Sequence, residues 1–143
     1  MVGCDKKLFE YINPLLTVMG NQINHIGHYG SGMMVKVLNN FIAAASVVSV
    51  RHVINQAEKF DIDMETIFKT IDASSGQTWF GTNREKIDWF KECYHDGNTM
   101  GILKKDVEAY VDAFENISEL DEFVSGELSS SIIKAINNMP LAK

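Results

Sequence analysis

One stretch of the sequence, residues 30 to 60, limits the fold more than any other. Within residues 33 to 50 only five side chains are polar, namely Lys36, Asn39, Asn40, Ser46 and Ser49. A helix with this sequence carries apolar side chains on nearly every side, so we expect one long helix that is buried on several sides. A lysine near the start of such a helix needs an explanation.

Composition restricts the classes of function. With 143 residues and 45% apolar side chains, the chain is long enough for one domain with its own core. Its formal net charge is −6 and it has no basic cluster. Because nucleic acids and anionic membranes attract positive surfaces, neither is expected as the main partner.

The cysteines and the N-terminal residues indicate a soluble cytoplasmic protein. Cys4 and Cys93 are far apart and in no metal-binding spacing, as expected for free thiols in a reducing compartment. The first ten residues lack the basic-then-apolar order of a signal peptide. Lys36, Asn39 and Asn40 near one end of the long helix disfavour a membrane-spanning segment.

Residues 1 to 27 predict a strand, a helix and a second strand. Asp5 is placed to cap a helical pattern that ends at Gly20, with Pro14 expected to bend or break it, and residues 21 to 27 alternate like a strand. Two short strands do not form an independently stable sheet, so we expect the end of a larger sheet and a truncated start at Met1. Its free edges predict disorder or pairing between copies.

The rest of the chain predicts one all-helical domain, residues 28 to 143. Glycines at 27, 30 and 32 give a flexible entry to the long helix, with Ser31 as its cap. Four further helical or turn-rich segments follow at residues 62–71, 79–94, 99–114 and 120–136. We found no linker or internal repeat, so these segments form one helical bundle.

Lys36 and Asn40 are four residues apart and therefore share one face of the helix. An ammonium among apolar groups has its charged form disfavoured, which suits proton transfer near neutral pH, and Asn40 could hold the amine or a substrate hydroxyl. The structural alternative is that Lys36 reaches solvent while the asparagines bond between helices. Spacing alone leaves both interpretations open.

Other polar motifs are weaker. The glycine run at 27 to 32 could cradle an anion, but it lacks both dinucleotide and P-loop order, so a tight turn is the simpler interpretation. His25 and His28 have no third ligand nearby, so no metal site is predicted. His52 and His95 are expected at the surface.

The motif from Gly27 to Asn40, GxxGSGxxxKxxNN, resembles the catalytic-lysine motif of the β-hydroxyacid dehydrogenases, which include 3-hydroxyisobutyrate dehydrogenase and tartronate semialdehyde reductase. The initial MVGCD resembles the last strand of their cofactor domain. Residues 75–79 with 83–84 resemble their GSGxSW and NR positions, and residues 102–106 resemble their LMxKD segment. The resemblance covers most of residues 1 to about 115, in the family's order.

The resemblance implies an NAD(P)-dependent oxidoreductase and a fold of the 6-phosphogluconate dehydrogenase C-terminal type. This is an all-α bundle around one long helix, preceded by a short β-α-β remnant of a Rossmann domain. Residues 1–27 would be the remnant of the cofactor-binding domain. Residues 28–143 would form the helical domain that carries the catalytic lysine and builds a homodimer or higher homo-oligomer.

The resemblance also implies roles for individual residues. Lys36 would be the general acid or base of hydride transfer to or from a small hydroxy acid or semialdehyde. Asn40 would orient the reacting oxygen, and Ser31 and Gly32 would shape the wall beside Lys36. Lys105 would reach the cofactor side of the cleft, where NAD or NADP is bound mainly by a domain outside this chain.

Departures from the family pattern limit these expectations. The chain contains no GxGxxG and no SGG-type substrate segment, so it is not expected to turn over alone. Asn98 stands where the family has Phe, His28 and Tyr29 replace smaller residues, and the sequence diverges after Phe114. The resemblance therefore implies a substrate class, a small hydroxy acid or semialdehyde, and either NAD or NADP as the cofactor. The alternative function is a non-catalytic helical dimerisation or binding module.

Overall fold

The computed structural model describes residues 1–115 and 126–141, and it divides into two compact units, residues 1–39 and 40–143. This division lies within the long helix, whereas the domain boundary expected from the sequence follows residue 27. The predicted domain boundary stays a prediction. The described residues are mostly helical, in agreement with the predicted fold class at that level.

The first unit contains the predicted strand, helix and strand. Strand β1, Val2–Gly3, pairs in parallel with β2, His25–Gly27, in a two-stranded sheet, and helix α1, Lys6–Met19, connects them. Asp5 caps α1 by accepting a 2.9 Å hydrogen bond from the Leu8 N–H. The helix continues through Pro14, so of the two expected outcomes, a bend or a break, the break does not occur. The second strand is shorter than expected, and pairing of the free edges between copies stays a prediction.

Helix α1 presents an uncovered apolar face. It has no buried residue, although its sequence is strongly amphipathic. The large exposed side chains recur at helical spacing, and they are Tyr11, Leu15, Val18 and Met19. An exposed apolar face of this kind is typical of a contact surface.

The long helix α2 extends over Ser31–Lys59, close to its predicted bounds. The expected role of Ser31 as its cap is wrong. The Ser31 hydroxyl donates to the His28 carbonyl at 2.6 Å instead of accepting from the helix, and the Gly30 carbonyl accepts from the N–H groups of Met33 and Met34. Gly30 has a φ of 86°, which a side chain disfavours, so glycine makes the turn into the helix.

The expectation that α2 is buried on several sides is correct for only part of the helix. The core of the second unit includes Ala44, Val47 and Val50, whereas the first part of α2 is largely exposed, with Met33 at 62%. The early residues of α2 lie outside the core cluster. The apolar character of their sequence therefore did not correctly predict that they are buried. Among the described helices, α2 is long and apolar enough to span a membrane, a property that core helices of water-soluble proteins share.

The second unit packs shorter helices on the later part of α2. They are α3 (Met64–Asp72), α4 (Trp79–Asn83), two 3-10 helices (Arg84–Lys86 and Asp88–Lys91), α5 (Thr99–Tyr110) with a π-helical turn (Val111–Glu115), and α6 (Glu127–Asn137). The predicted helices and turns are thus confirmed. The part of the last predicted helix at Leu120, Phe123 and Val124 lies outside the described residues.

The core of the second unit is formed by apolar side chains from α2, α3, α5 and α6 and from the second 3-10 helix. Its fully buried members include Val47, Phe68, Phe90, Val107 and Ile136. Asp63 fixes the start of α3 by accepting from the Thr66 N–H at 2.7 Å. The aromatic segment packs on this core as predicted, with Phe80 and Trp89 edge to face at 5.8 Å.

Candidate functional site

The first turn of α2 is held against strand β1 by a pair of glycines. A Cβ added to Gly3 would lie 2.7 Å from the His28 carbonyl oxygen and 2.8 Å from the Gly32 nitrogen. A Cβ on Gly32 would lie 3.0 Å from the Gly3 nitrogen and 3.1 Å from the Met1 oxygen. Because backbone atoms cannot move aside as a flexible side chain can, both positions require glycine for this close approach.

Ser31 and Gly32, the predicted substrate-wall residues, are both buried. Ser31 is 9% exposed, and both its backbone N–H and its hydroxyl donate to the His28 carbonyl, at 3.1 and 2.6 Å. These residues therefore fix the position at which α2 begins. Contact with a substrate remains a prediction for them. Sequence reasoning missed Gly3, and a glycine in a short strand was the available signal.

Lys36 is exposed and follows this fixed turn by one further turn of α2. Its ammonium forms no ion pair with a carboxylate of residues 1–115 or 126–141. Exposed apolar side chains, Met33, Met34 and Leu38, lie close to it along the helix. The apolar enclosure expected around Lys36 is thus not formed in this chain, and the amine is open to solvent.

Asn40 is half-buried and lies one helical turn after Lys36 in α2. The neighbouring residue, Phe41, stacks on Tyr110 of α5 with ring centroids 4.0 Å apart. This stacking fixes the helix at the Asn40 position within the second unit. The role of Asn40 in binding a reacting oxygen remains a prediction.

Lys105 on α5 is exposed and has no ion pair among the described side chains, unlike the adjacent Lys104. Lys104 lies 3.8 Å from Glu108 and 3.5 Å from the Tyr94 hydroxyl, and the hydrogen bond with Tyr94 raises the pKa of Lys104. One lysine is therefore engaged in a local network. The other, the predicted cofactor residue, has a free ammonium that an anion could reach.

Asn98 explains one departure from the family pattern. Its side-chain oxygen accepts from the Gly101 N–H at 3.1 Å, and its amide donates to the Cys93 carbonyl at 2.8 Å. It is thus the N-cap of α5 and closes the preceding loop. Phenylalanine could not form these hydrogen bonds, so the substitution has a structural role in this chain.

Arg51 is a buried residue that sequence reasoning missed. It is fully buried in the second unit and donates to the carbonyl oxygens of Phe90, Glu92 and Pro140. Burial lowers the pKa of Arg51, and its Nε–H has no hydrogen-bond partner. A charged residue in the apolar run VVSVRHV was the signal, because a lone charge there needs buried acceptors.

His25 is a structural residue of the first unit. Its Nε2–H donates to the Cys4 carbonyl at 2.7 Å, and its ring stacks on Phe9 at 4.6 Å. The His28 Nδ1–H donates to the Tyr29 carbonyl. Throughout residues 1–115 and 126–141, no group of three or more His, Cys, Asp or Glu side chains is placed to hold a metal ion. His52 and His95 are exposed, as predicted.

The fold and these residues define a class of protein. In this class a strand–helix–strand segment precedes a helical domain in the sequence, and the long helix carries an exposed lysine shortly after its GSG turn. A family model described as "NAD-binding of NADP-dependent 3-hydroxyisobutyrate dehydrogenase" matches residues 30–120. The chain belongs to this family. The predicted resemblance to β-hydroxyacid dehydrogenases is confirmed.

Individual relatives agree with this assignment. The chain is 34% identical over 79 residues to 2-(hydroxymethyl)glutarate dehydrogenase of Eubacterium barkeri, which covers 55% of this chain and 26% of that protein. It is 32% identical over 79 residues to the mitochondrial 3-hydroxyisobutyrate dehydrogenase of Drosophila melanogaster, covering 55% and 24%. The matched part of the chain therefore spans about a quarter of the length of these curated relatives.

A solved structure shows the same fold. The 3-hydroxyisobutyrate dehydrogenase of Mycobacterium tuberculosis with L-serine superposes with a TM-score of 0.72 and 22% sequence identity. The similarity covers 99% of this chain and 51% of that protein. At this identity the likeness establishes the fold, and about half of the larger protein has no counterpart in the chain.

Proposed function

We propose that this chain is the helical, lysine-bearing part of an NAD(P)-dependent β-hydroxyacid dehydrogenase or semialdehyde reductase. Residues 28–143 would form its 6-phosphogluconate dehydrogenase C-terminal-like domain, and residues 1–27 would complete a cofactor-binding domain. The observation that carries the proposal is the family match over residues 30–120, because this range includes both Lys36 and Lys105. The free ammonium of each lysine supports it.

Lys36 is the proton donor and acceptor in this proposal. In the reduction, its ammonium gives a proton to the substrate's carbonyl oxygen as the carbonyl carbon receives hydride. In the oxidation, its amine takes the hydroxyl proton. An amine without a carboxylate partner suits both steps, since no ion pair must be broken. The apolar side chains near Lys36 would exclude water once a substrate and a second surface cover them.

The other predicted residues position the reactants. Asn40, one turn further along α2, would hold the reacting oxygen beside the Lys36 amine. Ser31 and Gly32 would support this wall of the site through the fixed first turn of the helix. Their buried hydrogen bonds and close backbone packing support a positioning role.

One residue of the chain, Lys105, would contact the nicotinamide dinucleotide in this proposal. When bound, the dinucleotide supplies or accepts the hydride. The ammonium of Lys105 has no ion pair among the described residues and can bind a phosphate or carboxylate of an anion. Its neighbour Lys104, in contrast, already has acidic and aromatic partners. The remaining contacts would come from the part of the relatives that lies outside this chain.

A homodimer or higher homo-oligomer in the cytoplasm is part of the proposal. Apolar side chains of α2 that the chain leaves exposed include Met33 at 62% and Ile42 at 69%. An exposed apolar face on a long helix is typical of surfaces that a partner covers. A second copy of the chain is the simplest such partner.

The experiment is a Lys36→Ala substitution in the full-length protein encoded by the gene. We expect turnover of a 3-hydroxy acid with NAD or NADP to fall by about 10²- to 10⁴-fold, while dinucleotide binding is retained. Lys59→Ala is the matched control, since Lys59 is also an exposed lysine of α2 and has no proposed role in the site. Its turnover should equal that of the wild type.

The same experiment separates the two candidate functions. A wild-type protein that binds dinucleotide and oxidises 3-hydroxy acids, but keeps its turnover after Lys36→Ala, would refute the role of Lys36. A full-length protein without dehydrogenase activity and without a GxGxxG segment would instead favour the non-catalytic dimerisation or binding module. In that case the exposed apolar face of α2 would be the functional surface.

A further inference from the structure

The loop before α5, residues 92 to 98, contains a thiol–imidazole pair that the proposed reaction does not use. The Sγ of Cys93 lies 3.2 Å from the Nε2 of His95. With the Nδ1-protonated tautomer of His95, the thiol donates to Nε2. Cys93 is only partly buried and His95 is exposed, so a small solute in water can approach the pair.

A buried positive charge accompanies this pair. Arg51 donates to the carbonyl of Glu92 at 3.1 Å, the residue before Cys93, and it has no carboxylate partner in the described part of the chain. Its Nε–H is buried without a partner. Burial lowers the pKa of Arg51. The Arg51 guanidinium is therefore held at the residue before Cys93.

The other cysteine lacks these features. Cys4 is 4% exposed, and among the described residues no imidazole or guanidinium is hydrogen-bonded to its thiol. Its backbone carbonyl, not its sulfur, is the partner of His25. Cys4 is therefore an internal control for the reactivity of a buried thiol without a proton acceptor.

We propose that Cys93 is a site of reversible S-thiolation by small disulfides, with His95 as the proton acceptor. His95 takes the thiol proton and the Cys93 sulfur attacks one sulfur of the disulfide. A new bond forms between the two sulfurs, the original disulfide bond breaks, and the released thiolate takes the proton from His95. The reagent is reduced as Cys93 is oxidised, so no further electron acceptor is needed.

The test exposes the folded full-length protein to oxidised glutathione and maps the adducts by mass spectrometry over time. We expect the adduct on Cys93 before any on Cys4, and its removal by dithiothreitol. His95→Gln should slow adduct formation on Cys93 by at least about tenfold, because it removes the proton acceptor. His95 is exposed, so this substitution leaves the core intact.

His52→Gln is the matched control, since His52 is also exposed and, among the residues that the structure describes, forms no hydrogen bond with a thiol. The rate in this variant should equal that of the wild type. Modification of Cys4 before Cys93 would overturn the proposal. So would a reduction of less than about tenfold in His95→Gln. Neither readout depends on dehydrogenase activity, so a failure here is distinct from a failure of the proposed function.

Discussion

Two basic side chains of the same helix, Lys36 and Arg51, have opposite surroundings. Lys36 is exposed and has no ion pair among the described residues. Arg51 is fully buried and donates to three backbone carbonyl groups. In the sequence both are single charges within apolar runs. The difference teaches that a single charge in an apolar helix can be exposed and without an ion pair or buried and hydrogen-bonded, and that the residues around it decide which.

The apolar residues around the two charges differ in the same way. Near Arg51, Val47 and Val50 are buried in the core of the second unit. Near Lys36, Met33 and Leu38 are exposed. The later part of α2 is therefore core, and the early part is a surface with a free amine.

The largest difference in stability is expected between two single variants, in which either Arg51 or Lys36 is replaced by methionine. Arg51→Met removes the donor for three buried carbonyls and should lower the free energy of unfolding by about 3 kcal/mol or more. Lys36→Met, at an exposed position without an ion pair, should change it by less than about 0.5 kcal/mol. Urea unfolding followed by circular dichroism measures both values.

Equal effects of these two substitutions would contradict the comparison. Arg51→Lys adds a further control, because it keeps the charge but not the planar fork that reaches several carbonyls. We expect its stability to lie between those of the wild type and Arg51→Met. A fully stable Arg51→Lys would mean that charge, not the fork geometry, is what the carbonyls require.

Much of the fold could be predicted because local patterns decide it. Helical periodicity located α2 within a few residues of its bounds, and Asp63 indicated the start of α3 because a carboxylate before a helix accepts its free N–H groups. The prediction that Ser31 caps α2 was wrong. Serine caps many helices, but here its hydroxyl donates to the carbonyl of the earlier residue His28. The choice between cap and donor depends on the turn geometry that Gly30 sets.

The surroundings of each side chain could not be predicted, because they depend on distant residues. The acceptors of Arg51 come from Phe90, Glu92 and Pro140, at the ends of elements far along the chain. The spacing of Lys36 and Asn40 made Lys36 a candidate but favoured a structural lysine, and only the ordered family motif favoured the catalytic interpretation. Periodicity therefore gives the elements, and the contacts between them require the structure.

A second prediction compares apolar residues of α2. Val47→Ala creates a small cavity in the core and should lower the free energy of unfolding by about 2 kcal/mol. Ile42→Ala, at a residue that is 69% exposed in the single chain, should change it by less than about 0.5 kcal/mol. Chemical unfolding at low protein concentration measures both. An equally large loss in Ile42→Ala would show that a partner covers this face even in the dilute protein.

A third prediction concerns the start of α2. Gly3→Ala places a methyl group 2.7 Å from the His28 oxygen, so β1 must move away from the helix, at a cost of about 1 to 2 kcal/mol. Hydrogen exchange of residues 1–39 should report faster opening of this unit. Gly20→Ala is the control, because its nearest atom is a side-chain carbon 3.8 Å away. Equal protection in the two variants would refute the close approach.

The smallest effect is a pH dependence at Asp63, which caps the helix that packs Phe68 against the later part of α2. The hydrogen bonds that Thr66 donates hold the pKa of Asp63 below the ordinary value of an aspartate side chain. Because the folded-state pKa is the lower one, this stabilisation is present above the unfolded-state pKa and is lost as the pH falls through the folded-state value.

Asp63→Asn keeps an oxygen acceptor for the Thr66 N–H but does not titrate. We expect the variant to be slightly less stable than the wild type at neutral pH and to lose less stability on acidification. Thermal unfolding followed by circular dichroism, at neutral pH and below about pH 4, measures the difference. Asp61→Asn is the control, since Asp61 precedes the cap and accepts no helix N–H. If both variants follow the wild-type pH profile, the Asp63 carboxylate does not stabilise the start of α3 through its charge.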